Sequence, residues 1–194
     1  MDSDTKTMMN ELLKIKGVMY DNECFKLHAL AESSEYPVVN IGSYCGKSAA
    51  FLASGTKQNV YAIDLWDLRT AEFEPTKIDK MRGYHQIASY QAFIANMRKY
   101  GLNNVIPVKG DSQEIGKVWN IPLGVLFIDG NHRFDWAKSD YDSFAKFIIS
   151  GGYLALHDIV IGHVKRLVDE IIVPSGLWTD IEIVETLWVA RRKD

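Results

Sequence analysis

The fold is decided by residues 38–48, which read VVNIGSYCGKS. Four residues of strand type, Val38–Ile41, run directly into a turn that contains Gly42 and Gly46, and a helical stretch begins after this turn. Apolar residues on consecutive positions are expected where both faces of a parallel strand are covered. A glycine turn between a strand and a helix also lets a ligand approach the backbone, and it points the helix N–H groups at that ligand.

The spacing of this turn differs from two common nucleotide-binding loops. A Walker A loop has four residues between its first glycine and Gly-Lys-Ser, whereas three residues separate Gly42 from Gly46. The dinucleotide pattern G-x-G-x-x-G is absent because Asn40 and Cys45 occupy two of its glycine positions. The turn is therefore either a ligand cradle of another kind or a plain tight connection between strand and helix.

Outward from this strand, short apolar runs alternate with longer amphipathic runs. Residues 84–100 have helical apolar spacing and end in a stop signal before Gly101, and a second helix is predicted over 134–150. This alternation indicates strand–helix–strand units and an open, doubly wound, mostly parallel sheet. The predicted strands are Val38–Ile41, Val60–Ile63, Val105–Val108, Val125–Ile128 and Tyr153–Leu156.

The two ends of the chain differ from its middle. Residues 1–35 contain two helical stretches, 8–17 and 24–33, and no strand. Residues 181–184 and 187–191 read as two strands joined by two residues, which predicts an antiparallel hairpin at the C-terminal edge of the sheet.

Composition places the chain among ordinary globular proteins. Its 194 residues are 47% apolar and 24% charged, which predicts one domain over 1–194, with a helical cap over 1–35 and an α/β core over 36–194. The net charge of −3 argues against nucleic acid as a partner, because domains that bind it are usually strongly basic. The sequence shows no membrane span and no secretory signal, and its two cysteines form no Cys-x-x-Cys pair, so we expect a cytoplasmic protein.

Residues 65–84 form a long stretch with little apolar periodicity. Loops of this length in compact domains are usually functional or mobile. The stretch is interpreted either as a lid over the site, with Trp66, Phe73 and Tyr84 as its aromatic residues, or as an ordinary surface excursion.

Acidic residues follow four of the predicted strands, and they are Asp64, Asp111, Asp129 and Asp158. In an open parallel sheet these strand ends face the ligand crevice. Asp64, about 20 residues beyond the glycine turn, is placed to accept both ribose hydroxyls of a nucleoside. Asp111 either bonds an adenine amino group or caps the helix that follows it.

Histidines accompany two of these acids. His132 lies three residues beyond Asp129, and His157 directly precedes Asp158. An acid and a histidine at such spacing suit a metal ligand and a general base. Strand-end acids are often only helix caps and single histidines are often structural, but the repetition at four strand ends favours a functional site.

The ordered set of motifs resembles the class I S-adenosylmethionine-dependent methyltransferases, in particular the small-molecule O-methyltransferase branch that includes macrocin O-methyltransferase. The motifs are Asn-Ile-Gly-Ser-Tyr-x-Gly-x-Ser, Ala-Ile-Asp-Leu-Trp, Gly-Asp-Ser, Phe-Ile-Asp-Gly-Asn-His-x-Phe and Gly-Gly-Tyr-x-Ala-x-His-Asp-Ile, and they lie within about residues 15–192. The resemblance implies a seven-stranded sheet, N-terminal helices that cap the cofactor cleft, and methyl transfer from S-adenosylmethionine to a hydroxyl of a small-molecule acceptor.

The resemblance also implies roles for individual residues. His132 is implied as the base that deprotonates the acceptor, and Asp129, His157 and Asp158 as ligands of a divalent cation, Mg²⁺ or Mn²⁺. The implied cofactor contacts are Gly42 and Ser43 for the methionine part, Asp64 for the ribose, Asp111 and Ser112 for the adenine, together with Asn40 and Asp129.

Two positions depart from the family pattern. Asn40 stands where an acid is usual, which alters the contact with the cofactor's amino group. His157 stands where the first of two acidic ligands is usual, and Mg²⁺ prefers oxygen donors. The alternative functions are a non-catalytic S-adenosylmethionine-binding protein, in which His132 is idle, and a nucleotide-binding or hydrolytic α/β protein. Assembly into a homo-oligomer is compatible with the sequence.

Overall fold

The structure is a computed structural model that describes residues 3–66 and 89–194. Its strands are β1 (Val38–Ile41), β2 (Val60–Asp64), β3 (Val105–Lys109), β4 (Leu123–Ile128), β5 (Ile148–Leu156), β6 (Trp178–Val184) and β7 (Leu187–Arg192). They form one seven-stranded sheet in the order β3-β2-β1-β4-β5-β7-β6. Strands β1 to β5 are parallel, and β7 pairs antiparallel with both β5 and β6. The predicted doubly wound sheet with a C-terminal antiparallel hairpin is therefore confirmed.

Helices cover both faces of the sheet. They are α1 (Ser3–Leu12), α2 (Asp21–Glu32), α3 (Lys47–Gly55), α4 (Ser89–Lys99), α5 (Ser112–Val118), α6 (Phe134–Phe144) and α7 (Gly162–Leu167). Helices α1 to α4 pack on one face in a core that includes Val38 and Phe127. Helices α5 to α7 pack on the other face, which buries Val39 and Ile41. Every residue of β1 is buried, as the run of apolar positions predicts.

The predicted helix over 134–150 is too long at its C-terminal end. Helix α6 ends at Phe144, a single 3₁₀ turn follows, and Ile148 begins β5, where it pairs with Leu123 of β4. Ile148 fits the helical stripe by spacing, but a short apolar run does not by itself distinguish a helix from a strand. The first helix is also shifted from the predicted 8–17 towards the N-terminus: α1 ends at Leu12, and Ile15 reaches the core from the turn that follows.

The hairpin brings a distant part of the chain to the carboxyl ends of the parallel strands. Strands β6 and β7 are joined by Glu185 and Thr186, and β7 begins beside the end of β5, where Trp188 pairs with Leu156. The carbonyl of Thr186 accepts a hydrogen bond from the Ile159 N–H at 2.9 Å. Within the described ranges, the helices are too short or too polar to cross a membrane.

Candidate active site

The glycine turn after β1 packs against the end of β4. Gly42 has a φ of 83° and Gly46 a φ of 93°, which are conformations that side chains disfavour. A Cβ atom on Gly42 would lie 2.0 Å from the carbonyl oxygen of Asp129. Glycine at position 42 is therefore required both by the backbone conformation and by the close approach of β4.

The carboxylate of Asp64, at the end of β2, braces this turn. Its Oδ2 accepts the Tyr44 N–H at 2.8 Å, and its Oδ1 accepts the Trp66 N–H at 2.7 Å. The Trp66 indole Nε1–H in turn donates to the Tyr44 carbonyl at 2.9 Å. The Asp64 carboxylate remains partly exposed and is fixed in one orientation, so the structure keeps it available for the predicted contact with ribose hydroxyls.

Trp66 is not placed as a surface aromatic of a lid. Its side chain is buried under the turn, with its ring centroid 4.9 Å from those of both Tyr90 and Phe93. The remainder of the proposed lid, residues 67–84 with Phe73 and Tyr84, lies outside the described residues.

Asn40 supports the turn from inside the protein. It is fully buried, and its Oδ1 accepts the hydroxyls of Ser43 and Ser48, each at 3.1 Å. Its Nδ2 has no hydrogen-bond partner among the residues that the structure describes. Ser43 is also buried. Both predicted cofactor-binding side chains therefore shape the turn, and the backbone of the turn is left to contact a ligand.

At the end of β3, Asp111 caps helix α5 by accepting the Gln113 N–H at 2.8 Å. The cap was one of the two interpretations that the sequence left open. The neighbouring Ser112 hydroxyl donates to Oδ1 of Asp140, a buried carboxyl on α6, at 2.5 Å. Burial, and to a lesser extent the charge of Asp111, raises the pKa of Asp140 to about 6. Sequence analysis missed Asp140, although the acid lies next to Tyr141 on the apolar side of a predicted helix.

The structure brings together the two acids and two histidines at the ends of β4 and β5. His132 Nε2 lies 3.4 Å from Asp129 Oδ1 and 3.4 Å from Asp158 Oδ2. His157 Nδ1 lies 3.2 Å and 3.5 Å from the same two oxygen atoms. In the described part of the chain, neither nitrogen has a partner in hydrogen-bond geometry. We call these four residues the acid–histidine cluster. Three of them, Asp129, His132 and Asp158, place ligand atoms within 4.8 Å of one another.

A fifth residue, Glu23 of helix α2, holds the cluster from the protein interior. Glu23 is fully buried, and its Oε2 lies 3.0 Å from His157 Nε2 and accepts the Tyr20 N–H at 2.9 Å. Its Oε1 accepts the N–H and the hydroxyl of Thr186 at 2.8 Å and 2.6 Å. No sequence pattern indicates this role, because an acid in the first turn of a helix is already explained by capping.

The carboxylates of the cluster favour the charged forms of both histidines. Burial alone would lower the pKa of His157, but Asp129, Asp158 and Glu23 outweigh it and raise that pKa to about 12. For His132, burial is likewise outweighed by Asp129 and Asp158, which raise its pKa. The pKa values of Asp129 and Glu23 are lowered despite burial, chiefly by His157. A site that holds protons this strongly also attracts a dication, which would compete with those protons.

Comparisons with known proteins find a matching family model and similar solved structures. A family model described as a methyltransferase domain matches residues 39–159, well over half of the chain. The solved O-methyltransferase NovP is similar in structure, with a TM-score of 0.78 and 13% identity over 98% of this chain and 100% of its own. An rRNA methylase from Streptococcus thermophilus has a TM-score of 0.63 and 16% identity over 92% of this chain and 100% of its own.

A third solved structure is the MycE methyltransferase of the mycinamycin biosynthetic pathway, in complex with Mg and SAH. It has a TM-score of 0.60 and 12% identity, and the match covers 100% of this chain and 55% of MycE. At these identities the three solved structures establish a shared fold.

Proposed function

The chain belongs to the methyltransferase domain family, and we propose that it transfers the methyl group of S-adenosylmethionine to a hydroxyl oxygen of a small-molecule acceptor. The observation that carries this proposal is the placement, along one sheet edge, of a glycine turn braced by Asp64 and of the acid–histidine cluster. The S-adenosylhomocysteine bound to MycE and the O-methyltransferase activity named for NovP support the donor and the oxygen nucleophile.

The methyl donor fits the half of the sheet edge formed by β1, β2 and β3. The backbone of the turn from Gly42 is open to close approach by the methionine part, and Asp64 would accept the ribose hydroxyls. Two backbone N–H groups already orient the Asp64 carboxylate, so little reorganisation accompanies binding. Asp111 and Ser112, which follow β3, would contact the edge of the adenine base.

The chain's own task in the reaction is alignment and proton removal. A bound sulfonium donor supplies a methyl group that is already activated. The His132 side chain is 34% exposed, although its Nε2 is buried against Asp129 and Asp158. In its neutral form, this imidazole would accept the hydroxyl proton of the acceptor. The oxygen–methyl bond forms as the sulfur–methyl bond breaks, which leaves the methyl ether and S-adenosylhomocysteine. Asp129 and Asp158 would stabilise the imidazolium that His132 becomes.

We include a divalent cation, held by Asp129, His157 and Asp158, in the proposal. Atoms that bind one ion at about 2.0–2.2 Å lie about 2.8–3.6 Å apart when they are adjacent ligands. His157 Nδ1 lies 3.2 Å and 3.5 Å from the two carboxylate oxygens, within that range. Such a cation would polarise the acceptor hydroxyl and make its proton easier to remove.

A small-molecule acceptor is proposed over nucleic acid on electrostatic grounds. The rRNA methylase among the structural relatives shows that this fold can be used with either kind of acceptor. Here the chain has a net charge of −3. A negative surface repels a phosphate backbone, whereas a neutral or cationic small molecule is not repelled.

The proposal is tested first by ligand binding and then by turnover. A ligand at a hundredfold its Kd stabilises a protein by about 2.7 kcal/mol, which for this size raises the Tm by roughly 5–10 °C. We expect that shift with S-adenosylmethionine and S-adenosylhomocysteine but not with ATP or NAD. A shift with ATP or NAD alone would contradict the methyltransferase proposal.

Turnover is then measured with the radiolabelled methyl donor and panels of phenols, catechols, sugar alcohols and RNA. Label in a small-molecule ether supports the proposal. Label in RNA alone would overturn the acceptor class. Donor binding with no label in any acceptor would favour the non-catalytic binding function.

A further inference from the structure

The position of His157 within the acid–histidine cluster determines which of its two nitrogen atoms can bind a ligand. Glu23 is buried and accepts hydrogen bonds from Tyr20 and Thr186, so it is an ionised carboxylate that can only accept. Its contact with His157 Nε2 at 3.0 Å therefore requires a proton on Nε2. The nitrogen that faces Asp129 and Asp158 is then Nδ1.

That Nδ1 atom is a buried polar atom without a partner. The His157 side chain is 3% exposed, and over residues 3–66 and 89–194 nothing completes a hydrogen bond with Nδ1. Buried polar atoms are rarely left unsatisfied, and one in a native protein calls for an explanation such as strain, a catalytic role, or an unseen water or ion. The two nearest atoms are carboxylate oxygens at 3.2 Å and 3.5 Å, and a cation is the ion that this set of donors favours.

We propose that Glu23 fixes His157 with its proton on Nε2, so that Nδ1 completes with Asp129 and Asp158 a nitrogen–oxygen site selective for a first-row transition-metal dication over Mg²⁺. Mg²⁺ demands oxygen ligands in near-ideal octahedral geometry, whereas imidazole suits transition metals. A carboxylate on the far nitrogen of a metal-binding histidine orients the ring and increases its basicity as a ligand. The inference deepens the proposed function by naming the class of cation and a positioning residue outside the motifs.

This role makes the N-terminal helix part of the site. One carboxylate of α2 contacts both His157, at the end of β5, and Thr186, in the turn between β6 and β7. Glu23 therefore links helix α2, the end of β5 and the turn between β6 and β7 around His157. A matched link between the same helix and the same hairpin, Lys26 with Glu182, lies outside the cluster and provides a control.

The test uses the full chain freed of metal by a chelator and titrated with Co²⁺, Mn²⁺ and Mg²⁺. Calorimetry gives the affinities, and the visible absorption of bound Co²⁺ reports its ligands. We expect one Co²⁺ per chain. Any site favours transition metals to some extent, so the decisive quantity is the Kd for Mg²⁺ divided by the Kd for Co²⁺. His157→Asn should reduce that ratio about tenfold or more and change the absorption spectrum of bound Co²⁺.

Glu23→Gln keeps the shape of the side chain and removes its charge. We expect Co²⁺ to bind about 10–100-fold more weakly, which is the usual effect of losing such a partner. Glu182→Gln, the matched control, should leave Co²⁺ affinity unchanged. If Glu23→Gln does not fold in chelator, Thr186→Val, which removes the hydroxyl donor to Glu23, is expected to weaken Co²⁺ binding several-fold.

Three results would overturn the inference. They are no stoichiometric binding of Co²⁺ to the wild type, an unchanged ratio of dissociation constants in His157→Asn, and loss of Co²⁺ in His132→Ala but not in His157→Asn. The third result would make His132 the nitrogen ligand. S-adenosylhomocysteine binding is measured in parallel without metal. If S-adenosylhomocysteine binds but Co²⁺ does not, this inference alone is overturned. If S-adenosylhomocysteine does not bind, the proposed function alone is overturned.

Discussion

The buried carboxyl of Asp140 is expected to destabilise the protein at neutral pH. Asp140 is 4% exposed, and burial raises its pKa from an ordinary 3.8 to about 6, although the Ser112 hydroxyl partly offsets this by donating to it. Because the pKa is higher in the folded state than in the unfolded state, the folded protein binds more protons between about pH 4 and pH 6. Stability therefore falls as the pH rises through that window.

The size of the effect follows from the shift. About 2 pKa units at about 1.4 kcal/mol each give an upper value of about 3 kcal/mol, reached near pH 7. About 2 kcal/mol of this develops between pH 4.5 and pH 7. Asparagine carries no charge at any of these pH values and keeps an oxygen that can accept from Ser112. Asp140→Asn should therefore be more stable than the wild type at pH 7 and nearly equal to it at low pH.

The assay is urea unfolding of both proteins from pH 4.5 to pH 7.5, analysed as the difference in free energy of unfolding at each pH. A matched control is Asp142→Asn, on the same helix but 50% exposed beside Lys138, where we expect a change of less than about 1 kcal/mol. The Tm difference at pH 7 should be roughly 2–4 °C for each kcal/mol. A variant less stable than the wild type at pH 7, or a difference that does not change with pH, would refute the reasoning.

Three further substitutions test the site. Gly42→Ala should lower stability by more than about 2 kcal/mol, because its Cβ would meet a backbone oxygen at 2.0 Å. The control Gly101→Ala, where φ is positive but no atom of the described residues lies within 4 Å of the added Cβ, should cost only about 1 kcal/mol by thermal unfolding. Asp64→Ala should weaken S-adenosylhomocysteine binding at least tenfold by calorimetry and abolish the preference over the 2′-deoxy analogue; a preference that survives would exclude Asp64 as the ribose ligand. His132→Ala should reduce turnover about 10²–10⁴-fold while the affinity for the methyl donor stays constant. If the variant retains more than about a third of the wild-type turnover, another group is the base.

The parallel strands and the glycine turn could be predicted because their signals are local. Consecutive apolar residues over Val38–Ile41 and glycines at two positive-φ positions specify a buried strand and a tight turn without any knowledge of the neighbours. The predicted end of α6 was wrong because the interaction that decides it is not local. Ile148 is consistent with a helix by spacing, and its pairing with Leu123 decides that it is a strand.

The candidate site was predicted only in part, because partners far apart in sequence decide what a side chain does. The order of the strands places Asp129 and Asp158 side by side, and the sequence was sufficient to infer this. Glu23 lies 134 residues from His157, and no spacing rule connects an acid in an N-terminal helix with the end of the fifth strand. Asp140 is a different case, since an acid on the apolar side of a helix is visible in the sequence and was not weighed.

The strand-end acids share a position but differ in function, and the close contact of Gly42 with Asp129 explains how they work together. Asp64 orients a turn and Asp111 caps a helix, whereas Asp129 faces two imidazoles. The backbone at Gly42 packs directly against the carbonyl of Asp129, so the glycine turn and the acid–histidine cluster share one backbone contact. In the proposed function, the donor and the base would therefore lie on either side of the boundary between β1 and β4, where the parallel sheet reverses its strand order.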